Sequence, residues 1–155
     1  MTNYKGVSGS NWAWGSWTYS DPTFGNNGLD NANGCFYRSD VRRPLTLIGI
    51  SDGTSNTLMI GEDLVDLNVH CGWPRANYAN GTCCIPLNNG LKTSDPGYNN
   101  PGDWPNLYSF RSRHPGGGNF ARADATVTFV RDSVDINVYR AAATVRGGET
   151  TNINQ

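Results

Sequence analysis

The sequence has no apolar run long enough to cross a membrane as a helix, no long block of one charge and no basic stripe. Only 16% of its 155 residues are charged, and 12 Lys and Arg against 13 Asp and Glu leave a formal net charge of −1. Nucleic acids and anionic membranes attract proteins through concentrated positive charge. The sequence therefore predicts no nucleic-acid partner and no membrane contact by this chain.

Helical periodicity is also scarce. Hydrophobic residues make up only 37% of the chain, and 19 Gly and 8 Pro interrupt it. These two residue types build turns and irregular loops, and the short apolar pieces between them are typical of strands. A chain of this length suits one domain, over residues 1–155. We expect a mainly β fold with long irregular loops and a short C-terminal helix.

One strand is predicted from Thr57 to Ile60, after the strong turn signal Asp52-Gly53. Glu62 ends this strand. A carboxylate in that position can be catalytic, but a lone Glu at the end of a strand is usually solvated or paired with an arginine, for which Arg42 and Arg43 are the candidates.

A two-stranded hairpin is predicted from Asn119 to Val130, where apolar and polar residues alternate and Asp124-Ala125 falls at the turn. The apolar spacing in residues 132–143 then predicts a short helix, with Asp132 or Ser133 as its N-cap.

The cysteines are even in number, and an adjacent pair rarely bonds to itself, so two pairings remain open. In both, Cys35 and Cys71 are each joined to one of Cys83 and Cys84. Two disulfides would support the irregular region of residues 66–109 and indicate an oxidising, extracytoplasmic compartment. The alternative is a zinc site, but C-C without C-x-x-C and only two histidines, His70 and His114, disfavour it.

A calcium loop is a further metal candidate, in the run D-P-G-Y-N-N-P-G-D from Asp95 to Asp103. This run has enough oxygen ligands, but it lacks the D-x-[DN]-x-[DN]-G spacing and a closing Glu. An ordinary Asn- and Asp-rich loop is the better interpretation, and no cofactor is expected.

The segment W-A-W-G-S-W-T-Y provides the candidate ligand-binding residues Trp12, Trp14, Trp17 and Tyr19. If the segment is extended, Trp12 and Trp14 share one face, and Trp17 and Tyr19 share the other. Exposed rings of this kind stack on sugars. The alternative is that the indoles fill a core that is short of aliphatic residues, with each N–H bonded to a loop carbonyl.

The stretch S-R-H-P-G-G-G-N-F-A-R-A-D, which begins at Ser112, is the candidate catalytic loop. As a hydrolase it would use His114 as base and Asp124 as orienter, and a glycosidase would pair two carboxylates from among Glu62, Asp124 and Glu149. The proline after His114 and the three glycines leave the imidazole poorly held for catalysis. We therefore favour an architectural turn in which the imidazole is bonded to loop backbone.

Three ordered motifs carry a resemblance: D-G-T-S-N-T-L-M-I-G-E from Asp52, S-R-H-P-G-G-G-N-F-A-R-A-D from Ser112, and T-V-R-G-G-E from Thr144. Together they resemble a large planctomycete family catalogued as a domain of unknown function, DUF1559, and also labelled a solute-binding family. The resemblance covers the C-terminal portion of a family member. Where the family usually has A-D-G-S-V, this chain has Ala125 in place of the glycine, which predicts a turn of another type.

The resemblance implies an exported, pilin-like protein. Family members begin with a long apolar helix, which follows a prepilin cleavage site and packs on a small sheet, and this chain lacks that helix. We therefore expect a non-enzymatic, pilin-like structural or surface-binding domain, with other pilin-like subunits or extracellular polysaccharide as partners. The alternatives are a carbohydrate- or solute-binding module that uses the tryptophan segment, and a secreted hydrolase that uses His114 and Asp124.

Overall fold

The computed structural model describes residues 2–72, 74–148 and 153. Its regular elements are five strands and two short helices: β1 (Tyr4–Val7), β2 (Leu58–Glu62), β3 (Asn80–Gly81), α1 (Trp104–Leu107), β4 (Gly117–Arg122), β5 (Val127–Arg131) and α2 (Ile136–Ala141). Two 3₁₀ turns, Asp40–Arg42 and Leu47–Gly49, interrupt the connection from β1 to β2. Turns and irregular segments make up the rest, so the predicted fold class is confirmed.

The five strands form one mixed sheet in the order β3-β1-β2-β4-β5. Strand β1 runs parallel to β3, and every other neighbouring pair is antiparallel. The register pairs Tyr4 with Glu62 and Gly6 with Ile60. A bulge between Leu58 and Ile60 shifts the pairing of β2 with β4. The predicted central strand is confirmed, one residue later at its start and ending at Glu62.

One face of the sheet packs against α2 and the segment that follows it. The main hydrophobic cluster joins the strand residues Val7, Leu58, Phe120 and Val130 to Tyr139, Ala142 and Ala143. The Phe120 ring meets those of Phe110 and Tyr139 edge to face, with centroids 5.2 and 6.0 Å away. Gly61 is needed beside these rings, because a Cβ there would collide with both phenylalanines.

The part of the chain that the structure describes contains no helix long and apolar enough to cross a membrane.

The β4–β5 hairpin forms where it was predicted, with Asp124 and Ala125 at its turn. Ala125 has a φ of 68°, which is the left-handed conformation. The expectation of a different turn type is therefore wrong: alanine takes the conformation that a glycine would take. The turn is held because Ala125 N donates to Arg122 O at 3.0 Å and Asp124 Oδ1 accepts from Thr126 N at 2.9 Å.

Helix α2 begins at Ile136, two to three residues after the start that a cap at Asp132 or Ser133 would give. Its N-cap is Asp135, whose Oδ1 accepts from the backbone N–H groups of Asn137 at 2.8 Å and Val138 at 3.3 Å. Asp132 and Ser133 instead lie in the turn that leaves β5, where Val134 N donates to Arg131 O. The prediction of the helix is confirmed, but that of its cap is wrong.

The irregular region 66–109 is held by side-chain amides. Asn89 Nδ2 donates to the carbonyls of Pro96 at 3.0 Å and Asn106 at 2.8 Å. Asn68 Nδ2 donates to Leu107 O at 3.1 Å. These bonds span the loop and satisfy backbone carbonyls that would otherwise be left without partners. The support expected from disulfides therefore comes from asparagine.

Replacement of Ala125 by glycine should stabilise the protein by about 0.5–1 kcal/mol, because glycine accepts a positive φ without the Cβ clash. Unfolding in urea measures this change. Ala123→Gly is the matched control: Ala123 has a negative φ and packs against the cluster around Ile50, so its variant should lose stability. A destabilised Ala125→Gly variant would contradict the assigned turn.

Candidate functional site

His114 and Glu62 are the two candidate catalytic residues that the structure brings together. His114 Nε2 lies 3.5 Å from Glu62 Oε1, and the His114 side chain is 55% exposed. Asn119 donates to the same carboxylate from its backbone N at 2.8 Å and from Nδ2 at 3.2 Å. Glu62 is thus tied to Asn119 and His114, and the expected pairing with Arg42 or Arg43 is wrong.

Within the described part of the chain, the imidazole of His114 is not bonded to loop backbone, which corrects the expectation of an architectural turn held by that bond. It faces the Glu62 carboxylate, whereas the bond within the loop is made by the backbone N–H of His114, which donates to Ser112 Oγ at 3.1 Å. Partial burial raises the pKa of Glu62, but hydrogen bonds from Asn119 and Ser112 and the charge of His114 together lower it more, so the pKa lies below its ordinary value. Glu62 is therefore ionised at neutral pH and serves as an acceptor.

Asp124 lies at the opposite end of the β4–β5 hairpin from His114. The six residues of β4, at roughly 3.3 Å each, separate the two. The Asp124 carboxylate accepts from Thr126 N at 2.9 Å and Thr126 Oγ1 at 2.7 Å. This placement cannot orient the imidazole as a catalytic triad requires. Glu149, the third carboxylate considered, lies outside the described residues.

The three motif segments quoted above are hydrogen-bonded to one another. Asp52 accepts from the backbone N–H groups of Gly147 at 2.8 Å and Gly148 at 2.9 Å, and from Thr144 Oγ1 at 3.0 Å. The motif segment that ends at Asp124 is also bonded to the segment that begins at Asp52, because Asp124 N donates to Thr54 O at 3.1 Å. Together with the bonds from Asn119 to Glu62, these contacts make the motifs a polar frame around β2 and β4.

The tryptophan segment is mostly buried. Trp12 is fully buried and stacks on Tyr108 with centroids 4.9 Å apart, and its Nε1 donates to Pro105 O at 3.0 Å. Trp14 and Trp17 are half-buried and pack against the same cluster. The predicted separation onto two faces is wrong, because the chain turns back and bridges Trp12 to Tyr19. Tyr19 remains 38% exposed.

The four cysteines are all buried as separate thiols, so the two expected disulfides are not formed. Cys35 lies in the cluster with Ile50, and Cys83 lies in the main core. Cys84 lies in the tryptophan cluster, and Cys71 Sγ donates to Asp63 Oδ2 at 2.8 Å. The separation of the thiols among different clusters is the physical reason. Burial raises the pKa of Cys35 and of Cys71 to about 12, so neither is a ready nucleophile.

The calcium candidates hold turns. Asp95 Oδ2 accepts from the backbone N–H groups of Gly90 at 3.1 Å and Lys92 at 2.9 Å. Asp103 Oδ2 accepts from Asn106 Nδ2 at 2.9 Å. Among residues 2–72, 74–148 and 153, no three His, Cys, Asp or Glu side chains are grouped to hold a metal ion.

A fully buried charge cluster was missed by sequence reasoning. Asp63 Oδ2 lies 2.7 Å from Lys5 Nζ, and its Oδ1 lies 2.9 Å from Arg111 Nε. All three side chains are at most 1% exposed. Burial raises the pKa of Asp63, but the charges of Lys5 and Arg111 outweigh it, so the pKa lies below its ordinary value. One local feature could have indicated it: Lys5 lies two residues before Val7 in β1, so both side chains point to the inner face of the sheet.

The outer face of the sheet, opposite α2, is partly apolar, and no helix packs across it among the described residues. One row across the strands contains Gly6, Ile60, Ala121 and Val127. Tyr4 and Phe129 lie on the same face, beside their polar strand partners Glu62 and Asn119. Val127 is 70% exposed, Tyr4 52% and Phe129 44%.

Two grooves widen this surface on either side of Phe36, a ring that covers Gly6. A groove of about 260 Å³ lies between Phe36 and Ile60, and one of about 500 Å³ lies between Phe36 and Leu47. Mainly apolar side chains line both. We call the outer sheet face and these two grooves the outer apolar surface.

Asp63→Asn should destabilise the protein by about 3–5 kcal/mol, because it leaves two buried cations without an anion. The free energy of unfolding in urea measures this change. Asp66→Asn is the control: it breaks an ion pair with Arg113 whose side chains are 54% and 71% exposed, so it should cost less than about 1 kcal/mol. Equal effects of the two substitutions would refute the role assigned to Asp63.

The same carboxylate predicts an acid-labile fold. Because the pKa of Asp63 is lower in the folded than in the unfolded chain, its stabilisation is present above the unfolded pKa, about 3.9. It is lost as the pH falls from there through the folded pKa. Urea unfolding at several pH values between about 2 and about 6 should show this loss, with a shallower slope for Asp63→Asn. An equal dependence of stability on pH in the wild-type protein and in Asp63→Asn would contradict this role of Asp63.

Comparison with protein-family models gives a match over most of the chain. A family model described as a protein of unknown function (DUF1559) matches residues 1–137. No curated protein and no solved structure matches the chain. Since the match covers most of the chain, the protein belongs to the DUF1559 family.

Proposed function

We propose that this protein is an exported, non-enzymatic, pilin-like structural domain, and that its outer apolar surface packs against a long apolar helix. The observation that carries the proposal is the outer apolar surface itself. The resemblance of the motifs to a pilin-like family supports the identity of the occupant, because that architecture packs an apolar helix on a small sheet.

The exposed side chains supply enough driving force for such packing. Val127, Phe129 and Tyr4 stand on one face of the sheet and are each about half exposed or more. Full burial of a large apolar side chain contributes about 1.5–3 kcal/mol. Several large apolar side chains exposed on one face favour a packing role for that face. A helix that precedes β1 in a precursor would meet this surface beside Tyr4.

The polar frame supports a non-enzymatic role. Among the described residues, the acidic residues of the motifs are Asp52, Glu62 and Asp124, and each accepts hydrogen bonds from neighbouring residues. A general acid or base must be free to exchange a proton with substrate. Export is part of the proposal and rests on the resemblance alone, since buried thiols do not indicate an oxidising compartment.

A charge placed on the outer apolar surface tests the proposal. Val127→Asp should change the stability of the purified domain by less than about 1 kcal/mol, because the side chain is exposed. In the native cells it should reduce the amount of protein in the sheared surface fraction, because an aspartate cannot be buried against an apolar helix.

Val69→Asp is the matched control, since Val69 is 59% exposed but lies in the loop region rather than on the sheet. It should leave both stability and the surface fraction unchanged. Normal surface assembly of a stable Val127→Asp variant would refute the proposal.

A further inference from the structure

A second concave surface lies on the α2 side of the sheet, away from the outer apolar surface. It is a cleft of about 420 Å³ between residues 19–24 and α2 with the segment that follows it. This volume falls within the range of small-ligand sites, about 300–1,000 Å³. The lining is mixed, with aromatic rings from Tyr19 and Phe24 and polar groups from Ser10 and Asn137.

Two arginines line this cleft without an anionic partner. Neither Arg140 nor Arg146 has a carboxylate within ion-pair distance among the residues that the structure describes. Arg146 is exposed, and its Nε donates to Gly49 O at 3.1 Å. Neither of its terminal nitrogens makes a hydrogen bond in the described part of the chain, so both are available to a ligand.

Arg140 is held in a fixed position. Its Nη2 donates to Cys84 O at 3.0 Å, and its guanidinium carbon lies 5.0 Å from the centre of the Tyr19 ring. Its Nε is buried and has no hydrogen-bond partner in the described part of the chain. A buried donor left without an acceptor is costly. That nitrogen is enclosed by protein, so a ligand carboxylate in the cleft would instead accept from Nη1, which makes no hydrogen bond in the described part of the chain.

The one acidic side chain in the lining does not cancel these charges by contact. Asp21 Oδ1 accepts from the backbone N–H groups of Thr23 at 2.7 Å and Phe24 at 2.8 Å, and its Oδ2 accepts from Asn33 Nδ2 at 2.8 Å. Its carboxylate holds the loop of residues 21–25. The lining therefore has an excess of positive charge and a partly exposed aromatic ring.

We propose that this cleft binds a sugar acid, with the carboxylate against Arg140 and Arg146 and the sugar ring against Tyr19. The carboxylate requires the cations, the hydroxyl groups suit Ser10 and Asn137, and the apolar face of a pyranose suits an aromatic ring. A free sugar acid and a uronic-acid unit of an acidic polysaccharide have the same chemistry. The site is independent of the proposed helix packing, which uses the other face of the sheet.

Isothermal titration with D-galacturonate and D-galactose tests the requirement for the carboxylate, since the two sugars share a ring. Galacturonate should bind, and galactose should bind at least about tenfold more weakly, because it lacks the charge-assisted bonds. Polygalacturonate and a neutral galactan then distinguish the two sources: tighter binding of the acidic polymer than of its monomer indicates a polysaccharide.

Arg146→Gln and Tyr19→Ala locate the site. Arg146→Gln should weaken binding of galacturonate or of the acidic polymer about tenfold, because it removes one of the two cations that would bind the carboxylate. Arg146 is exposed, so the substitution should not disturb the core. Arg113→Gln is its control, since Arg113 is exposed elsewhere. Tyr19→Ala should also weaken binding. Tyr98→Ala is its matched control, because Tyr98 is 37% exposed and Tyr19 is 38% exposed, and it should leave binding unchanged.

Three results overturn the proposal. The first is an absence of binding by both galacturonate and the acidic polymer. The second is equal affinity for acidic and neutral sugars. The third is binding that Arg146→Gln leaves unchanged.

Discussion

The buried carboxylate of Asp63 is the constraint on which the rest of the structure depends. Asp63 follows β2, Lys5 lies in β1, and Arg111 lies in the segment before β4, so one anion joins three parts of the chain. Two cations share that anion, and burial of unequal charge is tolerated only with close contacts and further hydrogen bonds. Asn68 and Cys71 supply such bonds at Oδ2 from the irregular region. The first half of that loop is thus fixed by the same group that fixes the strands.

The sheet separates two kinds of surface. Its inner face is filled by aromatic rings around Phe120 and by α2, whereas its outer face has Tyr4, Ile60, Val127 and Phe129 beside the polar pair of Glu62 and Asn119. Because side chains alternate along a strand, the same residues that build the core place these apolar groups outside. The polar cleft lies behind the inner layer, on α2. An apolar packing surface and a polar ligand cleft therefore coexist without competing for residues.

Local patterns predicted the regular elements well. The β4–β5 hairpin, the strand that ends at Glu62 and the terminal helix all follow from alternation and turn residues over short stretches. The predictions that failed depended on long-range geometry: the thiols, the partner of Glu62 and the orientation of Trp17 are decided by how the irregular chain crosses itself. The charge cluster of Asp63 joins residues 58 and 48 positions apart in sequence, and no spacing rule covers such a distance. Only the inward register of Lys5 gave a local signal.

The frame and the cleft have different origins in the sequence. The frame is made by the three motif segments that carry the family resemblance, through Asp52, Glu62 and Asn119. Arg146 comes from the last of these segments, so the frame fixes one cation of the cleft. Tyr19 and Phe24, which form the opposite wall, come from a loop outside all three segments. Because the polar frame does not contact this loop, substitutions at Tyr19 and Phe24 would leave Arg146 in place. The same scaffold could then present one constant cation to ligands of different shape.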